Sequence, residues 1–506
     1  MIEKPARRAG GGVNEGAMGD FYPCSGRRTT GVRVDSHARL RSAATGLAFL
    51  SALAASRDAA ASGFLGARFG ADHGNPVNAT PFATYYNPAA LIGIGGTKLT
   101  LDGSIVYRHA SYERSSDALT PGAAGAAGEE YIRANTGKAT LNNLLALPFA
   151  GVASDFGMKN IAAGFAVYVP FGGLAQWDKN DSFKGSTSAP GAYDGQARWH
   201  SISGIILSIY NTASFAVRIP AANLSIGVNA SFIYTTLDTV RARNADATDA
   251  TNTPSGALAE GRSLLSARGA QFGAGIGIVY QPMDTLKLGL SYTARPNFGE
   301  MRLKGTLKTK LAAQAGAGEE VKVDVLQTLP DVFRLGVAYN VSKQLELRLD
   351  GDFVTWSVFK KQCVVPTGTD CNLGANGAQV AGGAVSQNIP REWKNAFGVR
   401  AGAGYLLSED LEIFGSGMYD SSAVPDQTLD ATFIDADKVI GTVGVRKEFS
   451  KKVALAASFT HVQFFERDTK GKAAQDQFAA PSRSPSGDGK YNQTFEILNL
   501  NGTYTF

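Results

Sequence analysis

The sequence predicts an all-β fold: a 14-stranded antiparallel transmembrane β-barrel with an N-terminal hatch (plug) inside its lumen. Three observations predict it. Apolar and polar residues alternate with a period of two along many segments, the connections between these segments alternate between short and long, and the chain ends on an aromatic residue, Phe506. A period of two is typical of strands whose two faces meet different surroundings.

The alternation is clearest over residues 345–353. One face carries Leu345, Leu347, Leu349 and Phe353, and the other carries Glu346, Arg348, Asp350 and Asp352. The same pattern predicts strands over residues 97–112, 139–156, 160–171, 201–219, 222–239, 267–282, 285–306, 326–340, 343–358, 391–407, 410–422, 436–449, 452–467 and 491–506.

The lengths of the connections separate a membrane barrel from a soluble β-sandwich, which also alternates. Every second connection is only a few residues long, as at 220–221 and 341–342, and the others run to tens of residues, as at 172–200. Short turns at one end and long loops at the other are typical of outer-membrane barrels. In hydrocarbon each backbone polar group needs an internal partner, so the sheet must close.

The C-terminal strand fits this interpretation. Leu498, Leu500 and Tyr504 share one face with the terminal Phe506. A terminal aromatic residue after alternating apolar residues resembles the signal that the barrel-assembly machinery reads. We therefore expect that machinery as a partner, and the outer membrane of a Gram-negative bacterium as the location.

Residues 1–61 are predicted to be a signal peptide with an over-extended start. The apolar run 42–56 is too short to span a bilayer, two arginines precede it, and Ala59-Ala60-Ala61 offers a cleavage site. A buried helix in a soluble protein is the alternative. Residues 1–61 hold 9 Lys/Arg and 5 Asp/Glu, which leaves 40 and 39 in the mature chain. So balanced a chain predicts no nucleic-acid partner.

Cysteine is scarce, with three residues in the whole chain. Cys24 falls in the excluded leader, whereas Cys363 and Cys371 lie close together and are predicted to form a disulfide in an exported protein. Two free thiols remain the alternative. With no CxxC pair and five histidines, the sequence predicts neither a metal site nor any cofactor.

Residues 62–96 precede the first strand and do not alternate. They are rich in Gly, Ala, Asn and Pro, yet they also carry large apolar residues, among them Phe64, Leu65, Phe69, Phe82, Tyr85 and Tyr86. A solvated leader seldom carries so much aromatic surface. A hatch buried inside the barrel, formed by residues 62–96 ahead of a barrel over 97–506, is therefore the better interpretation, and a disordered leader is the alternative.

Several segments of the mature chain resemble the long-chain fatty acid outer-membrane transporters, a family that includes toluene-type hydrocarbon channels. The hatch motif around Tyr86, Asn87, Pro88 and Ala89 is the most specific of them. Residues 328–337, 352–359, 393–402 and 419–426 resemble further blocks of the family, in the same order. The resemblance implies a usually monomeric 14-stranded barrel that takes up hydrophobic molecules and releases them sideways through a gap in its wall.

The resemblance also directs attention to particular residues. We expect an apolar substrate pocket lined partly by Phe64, Leu65 and Phe69, and Arg241 or Arg243 as the anchor of a substrate carboxylate. In the third strand, Gly164, Pro170 and Gly172 are candidates for the lateral gate, because proline has no N–H to donate and glycine weakens pairing. Alternatively, Pro170 only ends that strand.

Three other functions stay open at this stage. A general porin, or non-specific diffusion channel, would have an open lumen, whereas an aromatic leader indicates a plugged one. An outer-membrane hydrolase would need a nucleophile beside a histidine, and no such arrangement stands out among His109, His200 and His461. An adhesin would use the long loops. The sequence favours a transporter over an enzyme.

Overall fold

The computed structural model describes residues 68–124, 128–311 and 318–506. The predicted signal peptide over residues 1–61 and two of the predicted pocket residues, Phe64 and Leu65, lie outside these ranges. Within the described residues, no helix is long and apolar enough to cross a membrane.

All described strands belong to a single antiparallel sheet, and the ladder between the first and last strands joins its two edges. The strands are β1 Thr97–Arg114, β2 Gly137–Ser154, β3 Ile161–Gln176, β4 Ser203–Ile219, β5 Leu224–Arg243, β6 Gly261–Met283, β7 Leu286–Thr293, β8 Met301–Lys310, β9 Glu319–Gln327, β10 Val332–Asn340, β11 Leu345–Val354, β12 Lys361–Pro366, β13 Gln387–Pro390, β14 Ala396–Ser408, β15 Leu411–Asp420, β16 Lys438–Ser450, β17 Val453–Phe464, β18 Arg467–Asp468 and β19 Gly489–Thr505.

The sheet has 14 positions around the barrel, here called staves, and each stave is one strand or two strands that lie end to end. This number confirms the predicted 14-stranded barrel. Four neighbouring staves consist of two strands each: β7 with β8, β9 with β10, β11 with β12, and β13 with β14. In a further stave the short β18 continues β17 along β19. The four uninterrupted strands predicted there, 285–306, 326–340, 343–358 and 391–407, are therefore wrong in detail. Short interruptions at 294–300, 328–331, 355–360 and 391–395 separate the two strands of each stave, and β12 and β13 lie outside the predicted strands.

The carboxylate of Asp331 ties three of these interruptions together. It accepts hydrogen bonds from the backbone N–H and the guanidinium of Arg295, from Tyr292 Oη at 3.1 Å and from Thr355 Oγ1 at 3.2 Å. Backbone groups that leave the ladder need such partners when they are buried. The interruptions are thus an ordered feature of the wall.

The two faces of the wall differ as the alternation predicts. Apolar side chains point outward, including Leu347, Leu349 and Phe353 on β11, while Arg348 and Asp350 are buried inside. On β19 the outward residues include Leu498, Leu500 and Tyr504. The N–H of Phe506 donates to the carbonyl of Thr97 at 3.0 Å, which continues the closing ladder to the last residue.

The connections sort by end as predicted. Six short turns join the strands at one end, at 155–160, 220–223, 284–285, 341–344, 409–410 and 451–452. The opposite end carries the long loops, among which 177–202 and 421–437 fold inward over the barrel, because Trp177 Nε1 donates to Ala431 O at 3.2 Å. A disulfide joins Cys363 of β12 to Cys371 in the loop that follows.

The helices are short. Among the described residues two are α-helical, α1 (Ala83–Tyr86) and α2 (Gly128–Asn135). The 3-10 helices are Ala71–His73, Pro88–Leu91, Ser116–Ala118, Asp181–Phe183, Pro190–Asp194, Gln196–Trp199, Pro220–Ala222, Pro296–Phe298, Trp356–Val358, Ala375–Gly377 and Asp426–Thr428.

Candidate functional site

The described part of the predicted hatch, residues 68–96, is here called the inner segment. Its buried residues pack against inward positions of the wall that are glycines. A methyl group added at Gly227 or Gly277 would collide with Ala89 or Asn87, and one at Gly289 would collide with Pro76. Glycine has no Cβ, so it allows one backbone to approach another this closely.

Asn87 joins the inner segment to the wall. Its Nδ2 donates to Pro76 O at 2.8 Å and to Ile278 O of β6 at 2.9 Å. Its Oδ1 accepts from the N–H of Ala89 and so caps the 3-10 helix that begins at Pro88. Asparagine before a proline at the first helical position is a favourable start for a helix.

Ion pairs fix the beginning of the inner segment. The buried carboxylate of Asp72 lies 3.2 Å from Arg348 Nη1 and 3.3 Å from Arg400 Nη1. Arg400 also donates to the carbonyls of Ala71 and Gly74. His73 Nε2 lies 2.9 Å from Glu412 Oε2 of β15. Breaking a buried pair leaves an uncompensated charge, so this network holds the segment firmly to β11, β14 and β15.

Aromatic rings fill the lumen beside β2 and β3. The Phe69 ring lies 5.4 Å from Phe149 and 5.7 Å from Tyr168, and Tyr85 lies 5.2 Å from Phe69. The guanidinium of Arg334 stacks over the Tyr85 ring at 4.4 Å. The predicted pocket residue Phe69 thus sits in an apolar cluster shared by the inner segment and the wall.

The wall is incompletely paired next to this cluster. The ladder between β2 and β3 runs only from Ser154↔Ala163 to Phe149↔Tyr168. Toward the long loops, the two strands are next joined where the N–H of Gln176 donates to Asn143 Oδ1 at 3.4 Å. Just past that point, the N–H of Asp178 donates to Thr140 O. The intervening residues, 144–148 and 169–175, are here called the wall window.

Each edge of the wall window contains a proline, Pro148 on β2 and Pro170 on β3. Neither has an N–H to donate to a ladder. The pairing of β3 with β4 also shifts between Tyr168 and Phe171, so Pro170 lies in a β-bulge, and β3 continues past it to Gln176. The alternative that Pro170 only ends the strand is therefore wrong.

The other predicted gate residues lie on either side of that bulge. Gly164 pairs regularly with Ala153 and faces Thr84 and Leu91 of the inner segment, so it is not at the irregularity. Gly172 lies within the wall window. The carbonyl of Leu174, also in the wall window, accepts from Arg108 Nη1 of β1 at 2.7 Å. A hydrogen bond to this carbonyl thus comes from another strand of the wall.

Arg241 lies in a second cavity, closer to the long loops. It lines a cavity of about 50 Å³ whose apolar walls include Leu237, Val325 and Phe433. Gln387, with its amide oxygen turned toward the guanidinium, accepts from Arg241 Nε at 2.9 Å. No carboxylate of residues 68–124, 128–311 or 318–506 forms an ion pair with it. Arg243 faces inward as well but does not line this cavity.

The acid beside this cavity is already paired. Burial opposes the ionisation of Asp430, but the neighbouring Arg391, 3.2 Å away, outweighs it and holds the pKa of this carboxyl below its ordinary value. Burial lowers the pKa of His200, which also lines the cavity, to about 4, so its imidazole is neutral at pH 7. Arg241 therefore keeps its charge available in an apolar setting.

Sequence reasoning missed Pro148, Arg108 and the ion-pair partners of Asp72. Pro148 could have been found, because a proline inside a predicted strand is a signal of interrupted pairing. The ion pairs of Asp72 could not have been found, because Arg348 and Arg400 lie 276 and 328 residues further along the chain. Within the part of the chain that the structure describes, no group of three or more His, Cys, Asp or Glu residues could hold a metal ion.

A closed barrel with an apolar outer face, and with a segment packed against the inside of its wall, is the architecture of an outer-membrane protein. The family model described as "Outer membrane protein transport protein (OMPP1/FadL/TodX)" matches residues 44–506. The chain therefore belongs to this family of outer-membrane channels for hydrophobic substrates. The predicted location in the Gram-negative outer membrane is confirmed. The prediction that the chain is a transporter and not an enzyme is confirmed as well.

Individual relatives are distant in sequence. An outer membrane protein of Neisseria meningitidis serogroup B, NMB0088, is 20% identical over 450 residues, which cover 83% of this chain and 88% of that protein. A FadL homologue of Pseudomonas aeruginosa has the same fold, with a TM-score of 0.66 at 16% identity over 89% of this chain and 98% of that chain. The toluene transporter TbuX of Ralstonia pickettii has the same fold as well, with a TM-score of 0.55 at 15% identity over 88% of this chain and 96% of that chain.

Proposed function

We propose that this chain carries long-chain fatty acids, or hydrocarbons of similar apolarity, from the extracellular loops into the lumen and releases them sideways through the wall window into the bilayer. The observation that supports the proposal is the interrupted β2–β3 ladder, with a proline on each edge and an aromatic cluster behind it. The inner segment would act as the hatch that prevents a straight passage to the periplasm.

A lateral route suits an apolar cargo. Each methylene of an acyl chain gains about 0.8 kcal/mol when it leaves water for hydrocarbon. Release through a water-filled pore would lose that gain, whereas passage through the wall into lipid keeps it. The rings of Phe69, Phe149 and Tyr168 offer an apolar surface up to the wall window.

The charge of Arg241 favours a substrate with a carboxylate. A partly buried guanidinium without an acidic partner gains from binding one, and arginine matches the geometry of a carboxylate with two parallel hydrogen bonds. Toluene, which the related TbuX and TodX proteins transport by name, has no such group. We therefore place fatty acids first and neutral aromatic hydrocarbons second.

The test is uptake of labelled oleate and toluene by a strain that lacks its own transporter. Cysteines replacing Ala146 and Gly173, on the two edges of the wall window, are joined by a flexible bismaleimide. We expect uptake in the untreated variant and its loss after cross-linking. The matched control, V152C/F165C, joins positions that are already directly paired below the wall window and should keep its uptake.

Two results would contradict the proposal in different ways. Unchanged uptake after cross-linking would exclude the lateral route but leave the substrate class intact. Rapid entry of small sugars, without selective uptake of oleate or toluene, would favour a general porin instead.

A further inference from the structure

Arg108 is a second guanidinium in the lumen without an acidic partner. It lies on β1, its side chain points inward, and it is 5% exposed. Its Nε donates to Gln493 Oε1 at 2.7 Å, and its Nη1 donates to the carbonyl of Leu174, also at 2.7 Å. No carboxylate of residues 68–124, 128–311 or 318–506 forms an ion pair with it, and no acceptor in these ranges takes a hydrogen bond from its Nη2. Its charge thus meets neutral acceptors among the described residues.

The hydrogen bond from Arg108 to Leu174 spans the wall window. Arg108 lies directly opposite Asn143 of β2, which marks the end of the wall window toward the long loops. Neighbouring strands are about 4.8 Å apart, so its side chain reaches from β1 across the inner face of β2 to the edge of β3. Leu174 lies two residues before Gln176, whose N–H faces Asn143, so the carbonyl of Leu174 faces β2 as well. Arg108 therefore stands in for ladder pairing that β2 does not supply there.

Arg108 also lines a cavity that reaches the wall window. The cavity measures about 30 Å³, and its lining includes residues 173–175 of the wall window together with the apolar Leu237 and Phe433. Of the described residues that line it, none is acidic. A water molecule needs roughly 10–15 Å³ of such volume, so the cavity has room for a carboxylate but not for an acyl chain. A carboxylate bound there would leave its acyl chain outside the cavity.

The cavity of Arg108 adjoins the cavity of Arg241. Leu237 and Phe433 line both of them. On β5, Leu237 and Arg241 share the inward face at a separation of four residues, which corresponds to roughly 13 Å along the strand. Of the two arginines, Arg241 is nearer the long loops, and Arg108 is beside the wall window. A carboxylate that leaves Arg241 toward the wall window therefore meets Arg108 next.

We propose that Arg108 is a second carboxylate-binding residue, on the inner side of the wall window, and that the carboxylate of a fatty acid replaces the carbonyl of Leu174 as its partner. The inference rests on the proposed function, because it assigns a step of the same lateral route. An ionised carboxylate attracts a guanidinium more strongly than a neutral carbonyl does, and it accepts two parallel hydrogen bonds. The replacement frees the β3 edge of the wall window when the cargo arrives, so the acyl chain passes between β2 and β3.

The binding step is tested by titration of the purified barrel in detergent with oleate and with toluene. In an R241Q background, R108Q should weaken the remaining oleate affinity about tenfold further, because it removes the second partner of the carboxylate. Toluene affinity should not change. Equal oleate affinities of R241Q and R241Q/R108Q would overturn the proposal.

Arg218 supplies the matched control for the titration. It is exposed beside the short turn that follows β4, and it forms no ion pair with a carboxylate of the described residues. In the R241Q background, R218Q removes the same charge as R108Q and should leave both affinities unchanged. An oleate affinity that R218Q lowers as much as R108Q does would show an effect of general charge and would overturn the proposal. Heat-modifiable migration on a gel verifies that each variant is folded.

The replacement of Leu174 is tested by amide hydrogen exchange. Saturating oleate should speed exchange over residues 172–176 of the unmodified protein, whereas toluene, which has no carboxylate, should not. In R108Q, exchange there should be fast already and oleate should not change it further. Exchange that oleate leaves unchanged in the unmodified protein would overturn the proposal, and this measurement needs no variant to fold.

Uptake by cells separates a binding role of Arg108 from a structural one. In R108Q, oleate uptake should fall several-fold while toluene uptake persists, and R108K, which keeps the charge, should recover most of the oleate uptake. An equal loss of oleate and toluene uptake in R108Q would indicate a structural role and would overturn the proposal. Failure of the lateral route itself gives a different pattern, because cross-linked A146C/G173C would then keep its uptake while the titration still measures carboxylate binding by Arg108.

Discussion

Arg241 is the residue whose surroundings best distinguish between the two substrate classes. Its guanidinium lies in an apolar cavity without an acidic partner among the described residues, and the nearby Asp430 is bound to Arg391. Losing a hydrogen bond between charged groups costs about 1.5–3 kcal/mol. We therefore expect R241Q to weaken oleate binding at least about tenfold, measured by titration of the purified barrel, and to leave toluene binding unchanged.

Arg243 provides the matched control. It lies two residues further along the same face of β5 but does not line the cavity. R243Q should therefore leave oleate affinity near that of the unmodified protein. If both variants lose affinity equally, the effect is one of general charge, and Arg241 is not a specific anchor.

The sequence predicts which face of a strand such residues occupy, but it does not predict which residues they contact. Counting by two along residues 222–239 places Arg241 and Arg243 on the inward face, as observed. Asp72 shows where this reasoning ends. It lies in a segment without any period, and its partners Arg348 and Arg400 reach it only because the barrel closes. Only the folded structure brings such distant charges together.

Among the elements, β3 is the strand on which the proposed lateral route depends. Pro148 and Pro170 remove one donor from each edge of the wall window. In P148V/P170V we expect the ladder to extend upward from Phe149↔Tyr168. Amide hydrogen exchange in residues 144–148 and 169–175 should slow, and oleate uptake should fall several-fold while binding to the purified barrel persists.

Pro220 supplies the comparison for that variant. It lies exposed in a short turn between β4 and β5, away from the wall window. P220A should change neither hydrogen exchange in the wall window nor uptake. If P148V/P170V slows exchange and uptake is nevertheless normal, the wall window is not the exit.

The existence of the strands was predictable, whereas their continuity was not. Alternation identifies all 14 staves because lipid and lumen impose opposite demands on successive residues. It does not detect the interruption at 328–331, since apolar alternation resumes directly on the other side, in β10. The tie between Asp331 and Arg295 that supports this interruption depends on tertiary contacts.

At the scale of the whole molecule, the sorting of turns and loops is the basis of the orientation that we predict, and we propose that the inner segment limits the permeability. The glycines that face the segment, such as Gly227, Gly277 and Gly289, leave no room for added side-chain atoms. The sequence predicted a buried leader from its aromatic residues, but not which wall residues would contact it. The inner segment contacts the wall at inward positions that are glycine and therefore lack a Cβ.

The packing of the inner segment leads to a prediction about ion flow. Asp72 and Asn87 bind it to opposite parts of the wall, and the rings of Phe69 and Tyr85 fill the space beside β3. In planar bilayers the intact protein should therefore conduct little steady current. Deleting residues 62–95 should raise the conductance severalfold, because it removes these side chains from a barrel whose 14 staves remain closed by the ladder between β1 and β19.

Heat-modifiable migration on a gel shows whether the variant without residues 62–95 is still folded. The variant E448Q, which alters an exposed ion pair with Arg446, is the control for handling and insertion. Exposed pairs contribute about 0–1 kcal/mol, so this control should conduct as little as the unmodified protein. A large steady conductance in the intact protein would mean that the lumen is open despite the inner segment. The porin alternative, which has an open water-filled lumen, would then be favoured.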